Sequence, residues 1–442
     1  MKLFCALAIL LFFNNCSFDN KSGIWENENS KSSSKENIIF KDFKKISSSI
    51  EIFNEIIPLD KNINIKVEKP IRNQFWTDIY FNEENNIGNL KFNNLNRIIL
   101  KSKRLSRSKI NDYTLLKNER LFMSDDKGNI FIYSLEKNTL INKFNFYKKN
   151  YRHLKKKLNL IIEKDVLYVS DNIGYIYAFN YVTDKLIWAK SLNIPFRSNI
   201  KLFSKNIVTS NQNNDLFIFD KISGNLIKSL PSEETKINNL FTNNLVLSDN
   251  EIFFINTFGT LYSISIEDYR LNWFVNLNKS TDLTLSELYN GSELVYYNNK
   301  ILTSSDENFY ILDGKSGFID NKKNFSLLLR PIINNNKIFI VTKNNLLIVM
   351  ELKNGEIIYS YNLNDKVASF INSDSKFLDI KNLMLVNNEI YIFLKNSHLI
   401  KLSINGNINE IVKLPSSLNT YPIFANGHLV YLNKKNQIIV LN

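Results

Sequence analysis

The sequence predicts an all-β fold, an eight-bladed β-propeller of four-stranded antiparallel blades, and three observations carry that expectation. One pattern recurs: a short apolar strand, a turn seven residues after its first apolar position, a second apolar strand, a polar turn and a third strand. The first apolar residues of the eight copies are Leu121, Leu167, Ile207, Ile252, Ile301, Ile338, Ile390 and Leu429, spaced 37 to 52 residues apart with a mean of 44. A four-stranded blade needs that length, since each strand with its connection takes about eleven residues. The recurring turn holds Gly128, Gly174 and Gly259 in three copies and Asn214, Asn308, Asn345 and Asn436 in four others. Both residue types tolerate positive φ, so Asn takes the hairpin role of Gly, which accounts for 12 Gly beside 70 Asn in 442 residues.

Along the chain, Lys2 precedes an apolar run from Leu3 to Phe13. That run is too short for a membrane span of about twenty residues and suits a signal-peptide core. Cys16 stands where an export lipobox places a lipidated cysteine, with Asn14 and Asn15 before it. Residues 1–15 are therefore expected to be a lipoprotein signal peptide and Cys16 the lipidation site, where several acyl chains anchor far more firmly than one. Ser17 and Phe18 follow where an inner-membrane retention Asp would sit, which favours the outer membrane. With Cys5 inside the signal, no thiol remains for a disulfide, a metal or redox chemistry. Residues 16–69 are expected to form a lipidated flexible tether; they include a Ser/Lys run at 30–35 and, over 38–57, apolar positions at helix-like spacing.

Residues 70–442 are assigned to the propeller. The eighth copy stops after its third strand, and a propeller closes its ring to remove open edges. An N-terminal strand should complete that blade, and the segment Arg97 to Lys101 is the candidate.

The composition is that of a folded chain, with 44% hydrophobic, 13% aromatic and 22% charged residues. The net charge of +13 comes with Lys, Ile and Asn enriched throughout, so it reads as a general bias, and no nucleic-acid partner is expected. The densest basic run is Lys148, Lys149, Arg152, Lys155, Lys156 and Lys157. It is either a lysine-protected blade edge or a contact for an acidic partner or lipid phosphates. The three histidines, His153, His398 and His428, lie in different copies without zinc-site spacing, and there is no phosphate-binding loop or nucleophile elbow. Most turn carboxylates, such as Asp125, Asp126, Asp171 and Asp306, read as hairpin caps.

A longer pattern lies inside the repeats: Ala-x-Asp-x-x-Thr-Gly-x-x-x-Trp, in distributed form. Ala178, Thr183 and Trp188 fit in the second copy; Asp220, Ser223 and Gly224 in the third; Ser263 and Trp273 in the fourth; Asp313, Ser316 and Gly317 in the fifth; Gly355 and Tyr359 in the sixth. This resembles the tryptophan-docking motif of the PQQ-binding-like propellers, where the large aromatic of the outer strand packs on the neighbouring blade and the Thr-Gly turn caps the hairpin. A signal, a tether and such a propeller together resemble the BamB family of lipoproteins of the outer-membrane β-barrel assembly machinery. Trp76-Thr77-Asp78, Asn86-Ile87-Gly88-Asn89 and the loop Ile194 to Ser198 look like stretches of its divergent members.

The resemblance implies a non-catalytic scaffold at the periplasmic face of the outer membrane. Its interblade loops would bind a BamA-like subunit and aid the insertion of β-barrel clients, with no cofactor and no small-molecule substrate. An apolar residue followed by Arg is part of that family contact, and Phe196 with Arg197 holds the corresponding place, expected as an exposed pair. Two other readings stay open. A quinoprotein-like dehydrogenase predicts a Ca²⁺ and cofactor pocket in the central channel, although the adjacent cysteines of many such enzymes are missing. An envelope propeller could also bind another protein or a glycan.

Overall fold

A computed structural model describes residues 16–18, 25–27, 52–147, 151–234, 242–278 and 289–442. The chain divides into two units at Glu51 and Ile52. In the first, Cys16–Phe18 pairs antiparallel with Trp25–Asn27. The expected signal peptide and most of the expected helix-like stretch lie outside the described residues.

The second unit is the eight-bladed propeller of four-stranded antiparallel sheets. The first blade comprises Leu115–Lys117, Arg120–Ser124, Asn129–Ser134 and Thr139–Asn145. Six more follow in chain order, with inner strands starting at Leu158, Lys201, Asn244, Val295, Ile332 and Ile380. The eighth contains Ile423–Ala425, His428–Leu432 and Ile438–Leu441, and its outer strand is Ile98–Lys101, which pairs Ile98 with Leu441 and Lys101 with Ile439. The segment expected to close the ring does so.

Burial follows position in the blade. The second and third strands lie between neighbouring blades and are almost wholly buried, as in Leu121 to Met123 and Ile130 to Ile132, whereas the outer strand alternates or faces water. This explains why the apolar runs are continuous and not alternating. Most seams have a core of their own, such as Phe196 and Ile207 with Ala178 between the second and third blades and Ile252 with Val208 between the third and fourth, whereas one continuous core, with Phe393, Tyr431, Leu121 and Leu167, spans the seventh, eighth, first and second blades.

The turns bear on the Asn count. Gly128, Gly174, Gly259, Asn214, Asn345 and Asn436 have positive φ at the recurring hairpin, and Ser397 takes that place in the seventh blade. Asn308 departs from expectation: it is not in the left-handed region, and its turn is held by Ser305, whose Oγ accepts from Asn308 N at 3.1 Å. A second set of tight turns joins inner to second strands. Asn118-Glu119, Asn298-Asn299, Asn335-Asn336, Asn387-Asn388 and Asn426-Gly427 all place both central residues at positive φ, the signature of type I′ hairpins.

The longest spacing between copies, from Ile338 to Ile390, contains the one long connection with a helix of its own among the described residues, α1 (Leu363–Ile371). Asn362 caps it, its side chain accepting from the backbone N–H of Asn364 and Asp365, and Leu363, Val367 and Ala368 are buried.

Residues 52–69, expected as part of the tether, lie against the propeller: Ile57 pairs with Ser360, and Glu68 N donates to Asn334 Oδ1 at 2.8 Å. From Trp76 the chain enters the central channel and follows the inner-strand edges around the ring. Trp76 exchanges both backbone bonds with Leu116 of the first blade, and Thr77 O accepts from Ile162 N of the second. Asp78 pairs with Lys201 of the third, Glu83 O accepts from Leu247 N of the fourth, and Glu84 O accepts from Tyr296 N of the fifth. Asn86 binds both backbone groups of Ile333 in the sixth, Leu90 N donates to Leu385 O of the seventh, and Asn93 N donates to Gly427 O of the eighth. The unpaired edges that eight inner strands would expose are thus satisfied in sequence by one strand-like segment.

Candidate functional site

The channel segment closes the ring on one side and forms the floor of a funnel on the other. Ile79 and Tyr80 at the floor are shared by two connected cavities, a narrow neck of about 90 Å³ and a wider mouth of about 570 Å³. The walls come from the connectors that run from each outer strand to the next inner strand.

Four of these connectors share a construction. An apolar residue in each of the four bridges to the following hairpin: Ile110 to Asp125, Phe196 to Asn211, Leu327 to Thr342 and Leu418 to Asn433. All four are buried. The residue three places on lies two positions before the next inner strand: Tyr113, Asn199, Arg330 and Tyr421. Of these, Tyr113, Arg330 and Tyr421 line the neck, and Asn199 instead clamps both backbone groups of Leu245 in the fourth blade at 2.9 Å.

The repeat therefore corrects the expectation for Phe196. It is 3% exposed and edge-on to Phe217 and Phe219, so it is an anchor and not part of an exposed pair. Arg197, beside it, is half-buried, its Nη1 has no hydrogen-bond partner among the described residues, and burial lowers its pKa. Burial and then Arg197 push the Lys157 ammonium below the usual lysine range.

The basic run is also clarified. Residues 148–150 lie outside the described residues, and Arg152 is exposed. Lys155 and Lys157 line the mouth, whereas Lys156 is buried, its Nζ donating to Tyr151 O and lying over the Tyr147 ring. Two members of the run, Lys155 and Lys157, thus face the funnel.

The neck is aromatic and charged. Tyr113 stacks on Tyr421 at 4.8 Å, Tyr80 meets Tyr113 edge-on at 5.5 Å, and the Arg330 guanidinium sits over Tyr80 at 4.8 Å. Burial first and Glu293 next raise the Tyr421 phenol to about 12, and burial raises Tyr80 and Tyr113 further. Lys381 lies over Tyr421 at 4.9 Å and pairs with Asp112 at 3.6 Å. None of these residues was singled out in the sequence; for Tyr113, Arg330 and Tyr421, their place three residues after a connector's apolar anchor is the signal that finds them.

The docking residues lie on the outer rim. Trp188 Nε1 donates to Lys221 O at 3.0 Å and its ring covers Gly224; Trp273 Nε1 donates to Gly314 O at 2.9 Å and its ring covers Gly317. A Cβ on either glycine would lie 2.5 Å from indole carbon. Ala178 is fully buried and pairs with Trp188 in register, and Thr183 N donates to Asn180 Oδ1 in the turn. Gly355 faces Asn321 of the preceding blade, and the ring of Tyr359 approaches Gly406 of the next blade while its hydroxyl donates to Ile404 O at 2.8 Å.

For a quinone and Ca²⁺ the channel fits poorly. Residues 76–93 run along its inner-strand edges, and the described residues contain no group of three or more His, Cys, Asp or Glu able to hold a metal. No reaction step follows from such a group here. No helix among the described residues is long and apolar enough to cross a membrane.

Residues 163–442 match the family described as outer membrane protein assembly factor BamB. Among solved structures, BamB from Moraxella catarrhalis superposes with a TM-score of 0.61 at 11% identity, covering 78% of this chain and 98% of that one. The quinohemoprotein alcohol dehydrogenase from Comamonas testosteroni superposes with a TM-score of 0.62 at 8% identity, covering 84% and 80%. The computationally designed protein Ika8 gives 0.57 at 12% identity, covering 77% and 98%. At such identities the likeness is one of fold. No curated protein matches the chain significantly.

Proposed function

Because the chain belongs to the family of the outer membrane protein assembly factor BamB, we propose that it is a non-catalytic scaffold of outer-membrane β-barrel assembly. Its partner is a BamA-like subunit, engaged by the connectors around the funnel mouth, and its clients are unfolded β-barrel proteins. The protein sits at the periplasmic face of the outer membrane, held by lipid on Cys16.

The observation that carries this reading is the family match over 163–442, which takes in seven of the eight blades in whole or large part. Of the expected contact pair, Arg197 is the residue left to reach a partner: it is only half-buried, and the buried Phe196 fixes the loop that carries it. The outer strands of the first three blades add exposed Leu-Ile pairs, Leu140-Ile141, Leu186-Ile187 and Leu226-Ile227, which suit an incoming apolar strand.

Affinity capture of the full chain from detergent-solubilised envelopes tests the role. Co-recovery of an assembly subunit, reduced by Arg197→Ala, is the expected result; recovery of none overturns it. The anchor is tested separately by Cys16→Ser, which should release the mature protein into the soluble fraction.

A further inference from the structure

The funnel neck holds three polar groups that the protein leaves unpaired. Thr114 lines it, is 2% exposed, and its Oγ1 has no hydrogen-bond partner among the described residues. Arg330 Nη1 is buried and likewise unpartnered, the guanidinium resting only on the Tyr80 ring. Glu293 lines the same neck and makes no ion pair among the described residues, with Arg330 or with any other cation. Its charge is nonetheless felt by the phenols of Tyr80, Tyr113 and Tyr421, as is that of Arg330.

Opposite charges in a partly desolvated site attract strongly, so an Arg and a Glu that share a neck without closing on each other leave a gap between them. A buried hydroxyl without a partner adds to the count, because buried polar groups are almost always satisfied. Together these groups offer a cationic donor with a hydroxyl, an anionic acceptor and an aromatic wall. The lining of the mouth is mixed, with Lys109, Lys155 and Lys157 set against Asp112 and Asp126, which matches a ligand carrying both signs better than a polyanion.

We propose that the junction of neck and mouth, where Tyr113, Tyr421 and Glu293 line both cavities, binds a small zwitterion of the aromatic amino-acid type, with its carboxylate in the neck and its ring toward the mouth. Its carboxylate takes Arg330 Nη1 and the Thr114 hydroxyl, its ammonium faces Glu293, and its ring lies against the stacked Tyr113 and Tyr421. The mouth of about 570 Å³ is the entry. This site does not depend on the scaffold role.

Calorimetric titration of the full chain with L-phenylalanine tests the site, run in parallel with phenylalaninamide, which lacks the carboxylate, and N-acetylphenylalanine, which lacks the ammonium. Saturable one-to-one binding of L-phenylalanine is expected. Each analogue should bind about tenfold or more weakly, the effect of losing one charge-assisted hydrogen bond. Arg330→Met and Glu293→Gln should each lose about as much while melting like the parent protein. Absence of saturable binding by the folded parent protein at millimolar L-phenylalanine overturns the proposal, and so does equal binding of the acid and its amide. The ligand series needs no variant, so a substitution that unfolds the chain does not blunt the test.

Discussion

Lys201 Nζ donates to Asp78 Oδ2 at 2.7 Å, with the two side chains 1% and 6% exposed, and the same ammonium donates to Asn82 O at 2.6 Å. One buried pair thus ties the channel segment to the inner strand of the third blade. The Asp78 carboxylate also caps its own turn, accepting from Tyr80 N at 2.8 Å, so the pair sets the loop that carries the funnel floor.

Removing one partner strands a charge. Lys201→Met or Asp78→Leu should each destabilise the propeller by ~3–5 kcal/mol, whereas the double variant carrying both should cost much less than the sum. Urea unfolding of the four proteins gives the cycle; additive losses would show that the two residues act independently.

At the rim, Gly317 has φ +71° and lies beneath Trp273. Gly317→Ala combines a left-handed non-glycine residue with a clash against the indole, an expected loss of ~2–4 kcal/mol. Adding Trp273→Ala removes the clash and leaves only the backbone part of that loss. A Gly317→Ala protein as stable as its parent would mean that the two blades can slide apart to admit a methyl group.

Asn336 sits at φ 58° in a type I′ turn. Asn336→Gly should be neutral within ~0.5 kcal/mol, and Asn336→Val should cost ~1–2 kcal/mol because a β-branched residue is strained there. Thermal melting of the two variants reads this difference.

The buried tyrosines make the fold sensitive to alkali. Burial raises the phenols of Tyr80 and Tyr113 above the ordinary value of 10.0 and that of Tyr421 to about 12. Between pH 10 and those values the folded state holds protons that the unfolded state releases. Stability is therefore complete below pH 10 and falls as pH rises, by up to ~1.4 kcal/mol per pH unit for each such tyrosine. Melting temperature against pH, followed with tyrosinate absorbance, should show both changing together above pH 10. Ionisation of most tyrosines without loss of the fold would contradict this.

The propeller was legible because its information is repeated. A strand that slips in one copy is corrected by seven others, and Ile98 to Leu100 could be assigned to the eighth blade because ring closure requires an edge partner. The channel segment was not legible, since its bonds, mostly backbone-to-backbone with side-chain links from Asp78 and Asn86, are spread over all eight blades and carry no periodic pattern of their own. Phe196 shows a related limit. A Phe before an Arg in a loop reads as exposed until the loop is aligned with Ile110, Leu327 and Leu418, which are all buried at the same place. Tyr113, Arg330 and Tyr421 come from connectors of unequal length, and only the fold brings them to one neck.

Closure of the ring also has a consequence in time. Ser102 and Gln437 meet although they are 335 residues apart, with Gln437 Nε2 donating to Ser102 O at 3.1 Å. The eighth blade thus begins with a strand that is synthesised early and waits for its three partners. Non-local pairing of this kind slows folding, because the loop must be closed before any contact rewards it. Until Ile438–Leu441 arrives, Ile98–Lys101 is an unsatisfied edge next to seven finished blades, open to a strand from another chain. The ring closes only if that edge is still free when the last strand arrives.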